Sequence, residues 1–400
     1  MKHSLILLTL LALPCVHASY NNDAVIATKQ AESASKATLS ILENLAKDPT
    51  EKQGLRDGYE GNITELEKLS GKSLEAICTG AALAGRTELV LQCINQNKGA
   101  EPDDALFGAA AGGHLELVNI LLKKGANPDN GLFGAALCGN SQLVDTMLKK
   151  GTNPSAGLMG ASLGGHMGIV QTMLDKGANP DEGLFGAALC GHMDIVQLML
   201  KKGADPNGGM YGAAKGGHMN IVQLMLKRGA TPNIGLEGAA QGGHLSIVQL
   251  MLDKGANPNK GIWYASAWGH TDIVYLLLDK GADPNRGIEA AAEEGYADIV
   301  LALLKKGANA NEGLDHAVRG GHVDAVRVLL KHGANPNLGL HFAAEMGHTA
   351  VLKLLLAQPK IKINEKDYAG KTPLDYATEK GHTECVNLLR AAGGKRAADF

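Results

Sequence analysis

The chain has 400 residues, 45% of them hydrophobic but only 4% aromatic, with 52 glycines and a formal net charge of -3 at pH 7. So little aromatic volume excludes a large aromatic-rich core, and glycine at about double its usual share fits many turns and closely stacked small-residue helices. The slight acidity excludes nucleic-acid binding driven by bulk charge.

The first 18 residues read as an export signal: Lys2 supplies the positive start, Leu5 to Leu13 the apolar run, and Val16-His17-Ala18 the small-residue cleavage pattern. The run is too short to span a bilayer as an anchor, and Cys15 follows Pro14, unlike a lipoprotein acceptor. The mature chain is expected to begin near Ser19, with no integral membrane segment and a periplasmic or secreted destination; losing Lys2 takes the charge from -3 to -4. Residues 19–58 are expected to form an N-terminal helical segment, weakly amphipathic with Ala27, Ala31, Ala34, Ile41 and Leu45 at helical spacing, Asp23 placed to cap it and Asp48-Pro49 to end it.

From Tyr59 the chain repeats itself. Gly61 to Leu66 matches the start of a second helix and is expected to cap an array over residues 59–390, with Gly85-Arg86 in the first full unit. The period is clearest in the 26-residue window Gly183 to Gly208, GLFGAALCGHMDIVQLMLKKGADPNG. Its Gly-His step returns at His114, His166, His218, His244, His270, His322 and His348, with Asn140 and Tyr296 in the two gaps. A fixed period in this range decides the fold before local propensity does. The first half of the window predicts a short alanine-rich helix starting near Gly183. In the second half Ile195, Val196, Met199 and Leu200 fall on one helical face. Lys201 and Lys202 suit the carbonyl end of that helix, and Gly203 follows where a left-handed stop is favoured. Neither helix can bury its face alone, so stacked copies must share one core.

The pattern A-A-x-x-G-H-x-x-I-V-x-x-M/L-L-x-x-G-A-[ND]-P-[ND] resembles the ankyrin repeat, over about twelve units. The resemblance implies an all-α helical-repeat solenoid whose first helices line a concave side. Ankyrin repeats usually run to about 33 residues and carry a β-turn finger ending in T-P-L-H. Only Asn207, Gly208 and Gly209 separate Pro206 from Met210, so most units have no room for that finger. The last unit alone keeps it, at Ile361 to Tyr376, where the step from His348 to His382 lengthens to 34 residues. Twelve units at about 9 Å give a stack about 100 Å long. Residues 391–400 form a polar tail too short to fold alone.

Candidate chemistry is sparse. Gly160-Ala161-Ser162-Leu163-Gly164 matches a hydrolase elbow, but that motif needs a strand-to-helix turn, and Ser162 stands where sister repeats carry Ala188 and Ala214. Gly71-Lys72-Ser73 and Gly370-Lys371-Thr372 lack the upstream glycine of a phosphate loop. Histidines one stacking step apart, about 9 Å, cannot share a zinc that holds its ligands at about 2 Å. The resemblance implies that this histidine orders the turn between its helices, with Arg86, Asn140 and Tyr296 as substitutes. Without Cys15 five cysteines remain. Cys138 and Cys190, two steps apart, lie too far from each other for a disulfide, and Cys78, Cys93 and Cys385 read as small core residues. Paired cations such as Lys123-Lys124, Lys149-Lys150 and Lys305-Lys306 read as solvated helix ends. No catalytic residue, cofactor or metal is expected.

A variable surface is left. One column of the first helices reads Phe107, Phe133, Met159, Phe185, Tyr211, Glu237, Trp263, Glu289, Asp315, His341, and a second turns from Leu137, Leu163 and Leu189 to Lys215, Gln241, Glu293, Arg319 and Glu345. An apolar groove is therefore expected in the N-terminal half and a polar one in the C-terminal half. Phe107, Phe133, Met159, Phe185, Tyr211, Trp263, Tyr264 and Trp268 are the candidate contacts with another protein, since aromatic residues anchor interfaces; the competing reading is that they fill space left by the missing fingers. The expected function is non-catalytic protein–protein interaction by an exported chain, and the uniform repeats suggest a bacterial factor acting on a host protein. The alternative is a periplasmic peptide-binding, small-molecule-binding or stress-protective protein using the apolar groove.

Overall fold

The computed structural model describes residues 53, 57, 72–95 and 100–400. The expected leader, the cap from Tyr59 and all but two positions of the 19–58 segment lie outside the described residues. The chain divides between Thr231 and Pro232 into two compact units. In the first, six helical pairs follow in order: Lys72–Leu83 with Thr87–Asn95, Pro102–Ala111 with Leu115–Lys123, Pro128–Leu137 with Ser141–Leu148, Pro154–Gly164 with Met167–Asp175, Pro180–Leu189 with Met193–Lys201, and Pro206–Lys215 with Met219–Lys227. The second also holds six: Pro232–Gly242 with Leu245–Asp253, Ile262–Ala267 with Thr271–Asp279, Asn285–Glu293 with Ala297–Lys305, Ala310–Arg319 with Val323–Lys331, Leu340–Met346 with Thr349–Leu356, and Pro373–Glu379 with Thr383–Ala391. Among the described residues there is no strand, as an all-α helical-repeat solenoid requires.

Each pair is an inner helix followed by an outer one. Inner helices pack on the inner helices of neighbouring repeats, and each outer helix packs on its own inner partner. In the outer helix Met193–Lys201 the side chains of Ile195, Val196, Met199 and Leu200 are buried, as their spacing demands, and so are Leu184, Ala187 and Ala188 of the inner helix on which it packs. Lys202 closes that helix and Gly203 follows at φ 96°.

The inner helices begin earlier than the sequence suggests, at Pro180 and not near Gly183. Proline is well placed there, because the first helical turn has no use for its missing N–H and its φ is already helical. Asn179 completes the start, its Oδ1 accepting from Asp181 N–H at 3.1 Å. The acidic or amide residue after the proline has a separate task. Asp181 Oδ1 accepts the Asp205 backbone N–H of the next repeat at 2.7 Å. The same rung recurs in the first unit from Asn127 to Asp103 and from Thr231 to Asn207, and in the second from Asn257 to Asn233 through Lys362 to Asn337. The repeated Asn/Asp-Pro-Asn/Asp is thus a cap for its own helix and a clamp on its neighbour.

The histidine forms a second ladder, and its reach extends beyond its own turn. Its ring packs over the turn of its own repeat, where a Cβ on Gly216 would lie 2.8 Å from the His218 ring, and it also reaches across: His192 Nε2–H donates to the Leu163 carbonyl of the preceding repeat at 3.1 Å. In the first unit His114, His166 and His218 do likewise with Leu83, Leu137 and Leu189, and in the second His270, His322, His348 and His382 with Gln241, Glu293, Arg319 and Glu345. The glycine before it serves the next ring in line. Gly191 has φ 79°, and a Cβ on it would lie 2.6 Å from the imidazole of His218. The substitutes are not equivalent: Asn140 turns to its own helix, accepting from Leu143 N–H at 3.1 Å.

The finger of the last repeat is present as a turn without strand pairing. Asp367 N–H donates to the Lys371 carbonyl at 3.0 Å, and the Asp367 carboxylate takes the Ala369 and Lys371 amides and the Tyr376 hydroxyl. These bonds, the Tyr376 one foremost, hold the Asp367 carboxyl below its ordinary range, while the same contact pushes Tyr376 up to about 12. The polar tail docks on this repeat. Ala397 N–H and the Arg396 guanidinium donate to Asp375 at 2.8 and 3.1 Å, and the Thr372 hydroxyl bonds the Lys395 carbonyl at 2.8 Å.

Candidate functional site

The inner-helix face of the first unit is a continuous apolar ridge. Phe107, Phe133, Leu163 and Leu189 are buried in it, with Leu137, Met159, Phe185 and the two column cysteines packed half-buried against them. Both variable columns therefore meet in one structure. Phe107 and Phe133 pair at 5.8 Å between ring centroids and are only 5% exposed. At those two positions the ring fills volume, as the competing reading holds. Met159, Phe185 and Tyr211 remain half-exposed, and Phe185 stacks on Tyr211 at 6.3 Å.

Glycine makes this ridge flat. Inner helices of the first unit carry glycines three residues apart, as at Gly131 and Gly134. A Cβ at Gly134 would lie 2.6 Å from the Phe107 carbonyl oxygen, so the two backbones touch. Gly108 meets Thr79 and Gly212 meets Phe185 in the same way. In the second unit the equivalent positions beyond Gly238 are Tyr264, Ala290, His316 and Phe342.

The second unit places charge and open aromatic surface on its inner face. Glu237 pairs with Lys260 at 3.8 Å, Asp315 with Arg319 at 3.4 Å and Glu293 with His316 at 3.9 Å; the Arg319 guanidinium lies 3.7 Å over Phe342. Trp263 is 46% and Trp268 37% exposed, while Tyr264 is half-buried between them and the stack. Trp263 meets Tyr264 edge-on at 5.2 Å and Trp268 at 6.3 Å. Burial, and then the charge of Glu237, raise the Tyr264 hydroxyl above its ordinary pKa. The second unit's three aromatic candidates thus stand together, whereas the first unit's four rings and Met159 form a ridge that is partly interior.

The chemical decoys resolve as structural parts. Ser162 is buried in mid-helix, and its hydroxyl has no hydrogen-bond partner. Among the described residues no three His, Cys, Asp or Glu side chains are placed to hold a metal ion. Cys78, Cys93 and Cys385 are buried and form no disulfide, and a hydrogen bond from Cys78 lowers the pKa of Cys93. Cys138 forms no disulfide, so no bridge joins it to Cys190. No described helix is long and apolar enough to cross a membrane.

Models of ankyrin repeats match residues 103–131, 184–208 and 314–339 as single repeats, 210–288 as three copies and 340–390 as many copies, together more than half of the chain. The chain belongs to the ankyrin repeat family. No curated protein matches it in sequence. Ankyrin repeats generally mediate protein–protein interaction, and such stacks bind through surface side chains rather than through a buried reaction centre. Two features of the inner face escaped the sequence reading. The residue after each proline was seen only as part of a motif, although its recurrence every 26 residues marked a contact between repeats. Glu294, one repeat beyond Trp268, was not placed in either variable column.

Proposed function

We propose that this ankyrin-repeat chain is an exported, non-catalytic binding protein whose inner-helix face, the concave side of such stacks, receives a protein partner. The observation that carries this reading is the contrast within each repeat. The histidine and Asn/Asp ladders recur through both units with little change, whereas the inner columns run from Phe185 and Tyr211 to Trp263, Glu289 and Asp315. Residues that only hold a stack have no reason to vary in this manner. Half-exposed, stacked rings such as Phe185 and Tyr211 are the type of side chain that anchors an interface. The leader pattern at Lys2, Leu5 to Leu13 and Val16-His17-Ala18 supports export, and with it a partner in the periplasm or outside the cell.

Crosslinking followed by pull-down of the mature chain from its own compartment tests the reading. The expected result is one protein recovered in proportion to the bait, and N-terminal sequencing of the bait that starts near Ser19. Recovery of a bound small molecule by native mass spectrometry, with no protein, would contradict it.

A further inference from the structure

The two tryptophans of the chain stand on one inner helix and its cap, at Trp263 and Trp268. Rings that only filled space left by an absent finger would be covered, yet these are the open edge of the second unit, 46% and 37% exposed. Their planes meet at 65° with centroids 6.3 Å apart, and Tyr264 stands perpendicular to Trp263. The result is an open aromatic corner.

Carboxylates lie beside that corner in a regular relation. One repeat after Trp263 the same column carries Glu289, and one repeat after Trp268 it carries Glu294. Both belong to the next inner helix, Asn285–Glu293, and its C-cap, which packs directly on Ile262–Ala267. Both are exposed, and neither makes an ion pair or hydrogen bond with a described residue. The cations nearby, Lys260 and Arg286, lie three residues before Trp263 and Glu289, toward the helix starts and away from Trp268 and Glu294, and Lys260 is engaged by Glu237 at 3.8 Å.

A fourth ring completes the surface. Tyr296 occupies a position where sister repeats carry the ladder histidine, and its ring lies against Gly269, where a Cβ would be 2.9 Å away. It makes no hydrogen bond back to the preceding repeat, and it is 37% exposed. The rung was given up here and an aromatic face gained beside Trp268.

We propose that this corner of the second unit docks an arginine side chain of the partner protein, its guanidinium over Trp263 and Trp268 and its charge met by Glu289 and Glu294. A cation within about 6 Å of a tryptophan centroid is attracted by the ring's quadrupole. Helix axes about 8–10 Å apart bring the next helix's carboxylates within reach of that same cation. The planar guanidinium stacks on rings and forks onto carboxylates where an ammonium does neither as well, so arginine is favoured over lysine. The assignment rests on the chain's being a protein-binding module and names the chemistry its partner must present.

Both tryptophans are in the site, so emission under selective tryptophan excitation reports on it alone. The full chain is titrated at low salt with acetyl-Gly-Arg-Gly-Arg-Gly-amide, with its lysine counterpart and with its glutamate counterpart. A saturable change with the arginine peptide, several-fold weaker with lysine and absent with glutamate, supports the assignment. Glu289→Gln/Glu294→Gln should weaken arginine-peptide binding about tenfold with circular dichroism and melting unchanged, whereas Glu116→Gln in the first unit should leave it as it was. Calorimetry on Trp263→Leu/Trp268→Leu should show no binding. No saturable change, equal response to the glutamate peptide, or full affinity in the double glutamine variant would overturn it. The pull-down separates the two ideas: a captured protein with no peptide binding sinks the arginine site alone, whereas peptide binding with no captured protein upholds the site and sinks the partner reading.

Discussion

The two units are built from the same repeat and differ in what their inner helices show. In the first, glycines at Gly108, Gly134 and Gly212 let successive backbones touch, and the side chains above them close into an apolar ridge. In the second, Ala290, His316 and Phe342 replace that glycine, and the face carries ion pairs and exposed tryptophan. The histidine and Asn/Asp rungs are common to both. A repeat protein can thus hold its stack with main-chain rungs at the turns and leave its inner face free to vary.

The largest expected effect attacks what the units share. Gly191→Val combines a strained φ with a collision against His218, and should cost several kcal/mol in denaturant unfolding. Gly203→Ala has a similar φ and no atom within 4 Å, so about 1–2 kcal/mol of strain is expected. A smaller gap than this between the two would show that the ring contact matters little. Next comes the difference between the units. Gly134→Ala should cost about 1–3 kcal/mol because the Phe107 carbonyl cannot easily retreat, while Ala290→Gly should cost only about 1 kcal/mol of helix propensity. Equal effects would remove the argument for close backbone contact in the first unit.

The charged end of the second unit should respond to acid. Burial pushes the Asp375 carboxyl up, but the Thr372 and Ala397 amides, Arg396 and the Thr372 hydroxyl together bring it down to about 2 from 3.8. A depressed carboxylate stabilises fully above its unfolded value, so the docking of Arg396 and Ala397 should be intact above about pH 4 and lost as pH falls toward 2. Asp375→Asn should loosen the tail at neutral pH by about 2 kcal/mol, read as faster tryptic cleavage at Lys395 and Arg396. Unchanged cleavage would mean that the tail is held by its other bonds, to Thr372, Asn364 and Lys366. The smallest effect expected is a gain. Ser162→Ala removes a buried hydroxyl without a partner and should raise stability by up to about 1 kcal/mol; a loss would mean that the hydroxyl is bonded in solution.

Much of this fold could be read directly from the chain. The 26-residue period, the four apolar positions of Met193–Lys201 and the glycine after Lys202 each state a local rule that packing then obeys. The structural role of the histidine is legible in the Gly-His step, but its bond between repeats is not, because the carbonyl it bonds lies 29 residues back and no local pattern points to it. Inner-helix starts were set late since the Asn-Pro step reads as a turn and as a helix start alike. The site divides in the same way. Which side chains vary along the inner face was visible, but how far each stands out depends on the spacing of neighbouring backbones. Phe133 sinks to 5% exposure over the first unit's glycines while Trp263 remains open in the second.

Capture of the partner, scored beside thermal melting on the same preparations of wild type, His192→Ala and Phe185→Ser/Tyr211→Ser, tests the central claim that the rungs hold the stack and the inner face binds. His192→Ala loses the bond to Leu163 and should melt lower, by about 1 kcal/mol of stability, yet capture the partner as the wild type does. Phe185→Ser/Tyr211→Ser removes two half-exposed rings and should lower melting modestly, with helical content unchanged, yet abolish capture. A folded His192→Ala that captures nothing, or a double-serine variant that unfolds or binds at full strength, would contradict the account.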